Sequence, residues 1–172
     1  MNFISKVFII SFLLLASGNL LAKHIVGGVM SYQCLGNNNY RFTLKVYRDC
    51  DPKAGGAGFD APATLGVYKC GNTINCTSLT QKSAFKKPNI DFGDKANILP
   101  PVYPCLKVPP VVCVEEAIYE FTLNLPLSEN SYHVVYQRCC RNNTITNIID
   151  PQDSGATYEI ELTPEAQKVC NN

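Results

Sequence analysis

Four stretches of this chain alternate apolar and polar residues one by one, and that period-two rhythm constrains the fold more than any other feature. Tyr40, Phe42, Leu44 and Val46 alternate with Arg41, Thr43, Lys45 and Tyr47. Tyr119, Phe121, Leu123 and Leu125 alternate with Glu120, Thr122 and Asn124. Tyr132, Val134 and Tyr136 oppose His133 and Gln137, and Tyr158, Ile160 and Leu162 oppose Glu159 and Glu161. Successive side chains of a strand point to opposite faces, so each stretch carries one buried row and one solvated row. Ile25 to Leu35 reads as a further strand, joined to Tyr40 through the turn Gly36-Asn37-Asn38-Asn39, so these two segments form a hairpin.

The intervening segments support the same class. Asp51 to Ala63, with Gly55, Gly56, Gly58, Pro52 and Pro62, reads as a loop, and Thr64 to Lys69 as a short strand. Between Gly71 and Val111, Pro88, Pro100, Pro101, Pro104, Pro109 and Pro110 exclude long helices and predict short edge strands joined by extended loops. Pro151 to Gly155 is a turn, and Pro164-Glu165-Ala166-Gln167 starts a short helical turn. About seven strands result, which predicts an all-β, disulfide-stapled immunoglobulin-like β-sandwich with Greek-key connections. The chain has no tryptophan, so the immunoglobulin Cys–Trp–Cys signature is absent.

Residues 1–22 read as a signal peptide. Lys6 precedes the apolar run Val7 to Ala16, which is too short to span a bilayer, and cleavage is expected after Ala22, with Gly18 the rival. Residues 23–172 then form a single domain. Lys6 is the only charge in the leader, so its removal takes the formal net charge from +1 to zero. A neutral domain carries no basic surface for nucleic acid or anionic membrane, and no second apolar run supplies a transmembrane anchor.

Nine cysteines follow the leader: Cys34, Cys50, Cys70, Cys76, Cys105, Cys113, Cys139, Cys140 and Cys170. Thiols in an exported chain meet an oxidising environment, so a disulfide framework is expected ahead of zinc, for which no short Cys-x-x-Cys spacing exists. Adjacent residues of a strand face opposite ways, so Cys139 and Cys140 are expected to bond distant partners rather than each other. Arg138 and Arg141 beside them are read as packing or anchoring a carboxylate.

Other constellations carry less chemistry. Ile25-Val26-Gly27-Gly28 and Asp153-Ser154-Gly155 imitate pieces of a trypsin-like protease. The two histidines, His24 and His133, do not stand in the segments a triad requires, so these phrases read as a strand start and a turn. Asp49, Asp51 and Asp60 bracket the glycine-rich loop and are the calcium candidates, although aspartates in turns usually cap their own backbone. Asp150 and Asp153 share a turn of the same kind. Asn75-Cys76-Thr77 and Asn142-Asn143-Thr144 match the glycosylation sequon.

Several phrases run in a recognisable order: His24-Ile25-Val26-Gly27-Gly28, Tyr32-Gln33-Cys34-Leu35-Gly36-Asn37, Val46-Tyr47-Arg48-Asp49-Cys50, and Phe59-Asp60-Ala61-Pro62-Ala63. Pro104-Cys105-Leu106, Pro110-Val111-Val112-Cys113-Val114-Glu115 and Tyr136-Gln137-Arg138-Cys139-Cys140-Arg141-Asn142-Asn143-Thr144-Ile145 complete them. Together they resemble the N-terminal module of large exported surface proteins of the Bacteroidetes, often described as gliding-motility-associated or PKD-domain-containing proteins. The resemblance implies export through the general secretory pathway and presentation outside the cell, commonly by the type IX system. In that family the module precedes PKD or other immunoglobulin-like repeats and a sorting domain. Neither follows within these 172 residues, so a fragment or a short stand-alone relative is expected. The family supplies no catalytic residues to carry over.

The expectation is therefore a non-catalytic structural or adhesive module, secreted or at the cell surface, with no cofactor. Its partners are neighbouring domains or an extracellular ligand. Local bridges Cys70–Cys76 and Cys105–Cys113 are expected, with Cys34, Cys50, Cys139 and Cys140 forming two long-range bridges and Cys170 left over; spacing alone does not set connectivity. The contact residues expected are Asp51, Asp60, Arg141, Asn142 and Asn143, although Asn142 and Asn143 also suit backbone hydrogen bonding. Two alternatives use the Asp51–Asp60 loop: a glycan-binding module, marked by two exposed aromatics side by side, and a small hydrolase, marked by paired carboxylates in a concave pocket.

Overall fold

Pairing between strands far apart in sequence sets the architecture. The structure, a computed structural model, describes residues 25–51, 57–71, 84–99, 105 and 113–171. In chain order the strands are β1 (Ile25–Gly36), β2 (Asn39–Asp49), β3 (Ala63–Cys70), β4 (Asn89–Ile90), β5 (Asp94–Ile98), β6 (Val114–Asn124), β7 (Ser131–Arg138) and β8 (Ala156–Leu162). A 3-10 turn, Pro151–Asp153, precedes β8, and helix α1 (Pro164–Asn171) follows it. Two four-stranded sheets result, ordered β1-β2-β6-β5 and β4-β3-β7-β8, with every ladder antiparallel. This is the strand order of an immunoglobulin-like sandwich, with one extra edge strand, β4, beside β3. The expected leader and Cys76 lie outside the described residues.

Local chemistry explains the elements. Asn37 and Asn38 have φ of 50° and 62°, the two positive values of a type I′ turn, and asparagine tolerates that conformation. Their two-residue loop fixes the β1–β2 register at Gly36 opposite Asn39. Helix α1 starts at Pro164, whose missing N–H costs nothing in a first turn, and the Thr163 hydroxyl accepts from the Ala166 N–H at 3.2 Å. The helix's inward amide, Gln167, is fully buried; it donates to the carbonyls of Asn130 and Leu162 and accepts from the Ser128 N–H.

Without tryptophan, four tyrosines fill the space between the sheets. Tyr40, Tyr119, Tyr132 and Tyr136 are all buried, among Phe42, Leu44, Val46, Leu65, Val67, Val134 and Leu162. A buried phenol needs a hydrogen-bond partner, and each of these rings reaches one at an end of the sandwich. At one end Tyr132 donates to the Pro126 carbonyl at 2.8 Å, and Asn171 of α1 donates to the Tyr40 hydroxyl at 3.2 Å. The first of these is the tyrosine corner of immunoglobulin-like folds, a hydroxyl at the start of a strand tied to the preceding connection. At the other end Tyr119 and Tyr136 both reach Asp60.

Three expectations about the cysteines are corrected. Cys113 bonds Cys50, not Cys105, because the β2–β6 ladder ends with Asp49 opposite Val114 and brings the next pair to a Cα separation of 5.0 Å. Cys170 is not left over; α1 folds back on the first hairpin and bonds Cys34. Cys139 and Cys140 bond each other, because β7 ends at Arg138 and Cys140 turns to φ 84°, so neither residue alternates as part of a strand. Cys105, expected in a bridge, is a free, exposed thiol. Cys70 is disulfide-bonded, with its expected partner Cys76 outside the described residues. The loops closed by Cys50–Cys113 and Cys34–Cys170 span 63 and 136 residues. On chain-entropy grounds each contributes about 4–5 kcal/mol.

Gly28 decides how closely the sheets approach at the β1–β8 edge. A Cβ there would lie 2.7 Å from the Tyr158 ring and 2.9 Å from the Lys45 carbonyl oxygen. The Tyr158 ring is itself stacked on Tyr136, with centroids 6.2 Å apart. Gly28→Ala is predicted to lower stability by about 1–3 kcal/mol through overpacking. Tyr132→Phe is predicted to cost about 1 kcal/mol through the lost hydroxyl bond. Urea unfolding with the disulfides intact checks both; unchanged midpoints would contradict this account of the packing.

Candidate functional site

Strands β2, β5 and β7 end, and β1, β3, β6 and β8 begin, at one end of the sandwich. In immunoglobulin variable domains the corresponding B–C and F–G loops form part of the binding surface. Charges seal the gap between the sheets here. Arg48 and Glu115 occupy the next inward positions after the apolar rows Tyr40–Val46 and Leu123–Ala117, and β2–β6 register sets them opposite each other. Arg48 Nε donates to Glu115 Oε2 at 2.6 Å, and Lys95 Nζ lies 3.0 Å from Oε1. Burial alone would raise the Glu115 carboxyl, but the hydrogen bonds from Lys95 and Arg48 outweigh it and hold it below the usual carboxylate range.

The connection between β2 and β3 is drawn onto this seal. Arg48 also donates to the Ala57 carbonyl at 3.0 Å and lies over the Phe59 ring, 5.1 Å from its centroid. Arg138 donates to the Gly58 carbonyl, and its Nη1 sits 3.2 Å from Asp60 Oδ1 as an ion pair rather than a well-aligned hydrogen bond. Tyr136 donates to Asp60 Oδ2 at 2.6 Å, and Tyr119 donates to the Asp60 carbonyl at 2.8 Å. Burial first, and the Asp60 charge second, push the Tyr119 phenol up to about 12. Burial and the hydrogen bond to Asp60 raise Tyr136 as well.

The connection between β7 and β8 is held on the other side. After the Cys139–Cys140 bond, the Cys140 and Arg141 N–H groups donate to the Ser154 carbonyl at 3.3 and 3.2 Å. Arg141 bridges to Ile25 of β1, and the Asn142 N–H donates to the Ile25 carbonyl at 3.0 Å. The buried Asn142 side chain donates to Asp49 Oδ2 at 2.9 Å, and its oxygen accepts from the Thr144 N–H and hydroxyl, both at 2.8 Å.

The sequence-selected residues therefore gather at this end, in different roles. Asp60 and Asn142 are internal anchors. Arg141 donates through Nε to the Gly155 carbonyl at 2.9 Å, and the Asp51 N–H donates to Asp49 Oδ1 at 2.9 Å. Asn143 is exposed. The calcium candidates Asp49, Asp51 and Asp60 are not assembled, since Asn142 and Asp51 occupy the Asp49 carboxylate and Tyr136 and Arg138 that of Asp60. Among the described residues no group of three or more acidic, histidine or cysteine side chains is placed to hold a metal ion. Asn142 of the sequon has its amide nitrogen buried and bonded, which leaves it no room for a glycan; Asn75 lies outside the described residues. His133 pairs with Glu159 on the outer face of its sheet, at the opposite end of β7 from Ser154.

The marks set for the two alternatives can be examined directly. Phe59 and Phe92 lie near the loop with centroids 6.1 Å apart, but they meet edge to face and pack half-buried against the core rather than forming an exposed platform. Carboxylates do line one open depression of 220 Å³, bounded by Asp91, Gly93, Asp94, Ile118 and Glu120. None of its lining residues belongs to the Asp51–Asp60 loop, and its three carboxylates are exposed to water. Comparisons with family models, curated proteins and solved structures found nothing that matches this chain. The Arg48–Glu115–Lys95 cluster and the two tyrosines on Asp60 escaped the sequence reading. A charge at the next inward position of each alternating row was the available signal.

Asp60→Ala is predicted to lower stability by about 2–3 kcal/mol, because it strands Tyr136 and Arg138. Tyr136→Phe is predicted to cost less in that background than in the native chain, a coupling read from a double-mutant cycle. A phenol with a raised native pKa binds its proton more tightly folded than unfolded, so its stabilisation is complete below the ordinary value near 10 and is lost as pH rises through about 12. Alkaline titration followed by tyrosinate absorbance should show an ionisation at about pH 12 that Tyr119→Phe removes; absence of such a late step would contradict the assignment.

Proposed function

We propose that this chain is a non-catalytic structural or adhesive module of a bacterial cell-surface or secreted protein. In this reading it works as the modules at the head of gliding-motility-associated and PKD-domain-containing chains do. The supporting observation is how charge is used at the loop end. Arg48, Arg138, Asp49, Asp60 and Glu115 all bind other groups of the same chain, and the result is rigid loop placement. Such an arrangement suits a domain that transmits force or presents loops to a partner, with Asn143 and neighbouring exposed residues as the contact surface.

One further observation supports an extracellular setting. The long-range disulfides tie both the first hairpin and the terminal helix into the sandwich, as expected of a domain exposed to an oxidising medium. Among the described residues no helix is long and apolar enough to cross a membrane. Neighbouring domains of a larger surface protein are the proposed partners.

Export is tested by producing the epitope-tagged chain in a Bacteroidetes host and treating intact cells with protease. The expected result is tag in the medium or lost from intact cells; intact tag in the cytosolic fraction, with the cysteines freely alkylated, would overturn the proposal. Adhesion is tested with beads carrying the purified domain. Attachment to cells or extracellular matrix that falls several-fold for Asn143→Arg is expected, whereas hydrolysis of polysaccharide or peptide by the same preparation would favour an enzyme.

A further inference from the structure

The bond between Cys139 and Cys140 differs in kind from the two long-range bridges. Cys34–Cys170 and Cys50–Cys113 close loops of 136 and 63 residues, so the native fold itself holds their sulfurs together. Cys50 is further registered by its N–H bond to the Cys113 carbonyl at 3.0 Å. Cys139 and Cys140 are adjacent in the folded and unfolded chain alike. Folding therefore gives their bond little protection, and the bond gives the fold little cross-linking. Cys139 is exposed, so an external thiol can reach it.

This bond also stands at a junction. It holds Cys140 at φ 84°, a left-handed conformation that residues other than glycine seldom adopt. That turn takes the chain out of β7 and across to the other sheet, where Arg141 bridges Ile25 and the Asn142 N–H reaches the Ile25 carbonyl. The Asn142 side chain then holds Asp49 at the end of β2. Two elements of the loop end, β1 and β2, are thus clasped by residues that directly follow the cysteine pair.

We propose that Cys139–Cys140 is a thiol–disulfide exchange site for an external dithiol, and that its reduction releases the clasp of Arg141 and Asn142 on β1. A thiolate of the dithiol attacks the exposed Cys139 Sγ, the bond to Cys140 breaks, and the Cys140 thiolate leaves and takes up a proton. The second thiol of the reagent then displaces Cys139 and closes the reagent's own disulfide. Two electrons and two protons pass to the protein, and the dithiol is oxidised. Reduced, Cys140 is free to leave the left-handed conformation, and the connection between β7 and β8 loses its fixed path to Ile25.

The test uses the native chain and dithiothreitol without denaturant. Alkylation after graded reduction, read by peptide mapping, should open Cys139–Cys140 at a reductant concentration about tenfold below that needed for either long-range bridge. Cys105, already free, is alkylated throughout and reports that the reagent is active. Over the same range the Arg141 and Asn142 amides should exchange hydrogen about tenfold faster while the β2–β6 ladder stays protected. Opening of a long-range bridge first, or opening of the pair with no change at those amides, overturns the proposal. A Cys139→Ser, Cys140→Ser double variant should show the faster exchange without reductant and no further response to it; native-like protection in that variant would equally overturn it.

Discussion

The ladder between β2 and β6 is the interaction on which the rest of this structure depends. Its eleven residue pairs join the first hairpin to a strand that begins more than sixty residues further along the chain. Conformational entropy opposes such a pairing until it is nearly complete, because the intervening chain must be closed into a loop. The Cys50–Cys113 bond sits one step beyond the last pair and holds that loop closed. Once this register exists, Phe42 stacks on Phe121 with centroids 5.4 Å apart, Arg48 meets Glu115, and Tyr119 comes under Asp60.

A core built on tyrosine instead of tryptophan has a consequence for the ends of the sandwich. Each buried hydroxyl must be satisfied, and the partners come from connections rather than from the sheets. Pro126 and Asn171 serve at the helix-bearing end, and Asp60 serves twice at the loop end. Asp60, Pro126 and Asn171 are therefore tied directly to the core. A loop whose path is fixed from below pays little entropy when it meets a partner, which is the property expected of a module whose work is contact.

The strands were legible because each needed only its own residues. The row Tyr40–Val46 states its inward face without reference to any neighbour, and Asn37-Asn38 states its turn. The β-sandwich class followed from counting such segments. Strand partnership was not legible, and the cysteine pairing failed with it. Cys113 was expected to bond Cys105 because they are close in sequence, whereas the β2–β6 register placed it beside Cys50. Cys170 looked redundant because nothing in α1's own residues says that the helix returns to the first hairpin. Cys139 and Cys140 were read as strand residues, and the positive φ of Cys140, which redirects the chain, has no marker such as glycine. At the loop end, the right residues were selected for a role that several of them do not play. Asp60 and Asn142 were chosen as contacts, yet internal bonds, and for Asn142 burial, make them anchors, and only the folded chain shows what surrounds them.

The most direct measurement is peptide mapping of the purified protein after alkylation under non-reducing, denaturing conditions. The account predicts peptides joined through Cys50–Cys113 and Cys34–Cys170, with Cys105 alkylated. A Cys105–Cys113 peptide, or Cys34 joined to either Cys139 or Cys140, would contradict the β2–β6 register and the docking of α1 on the first hairpin.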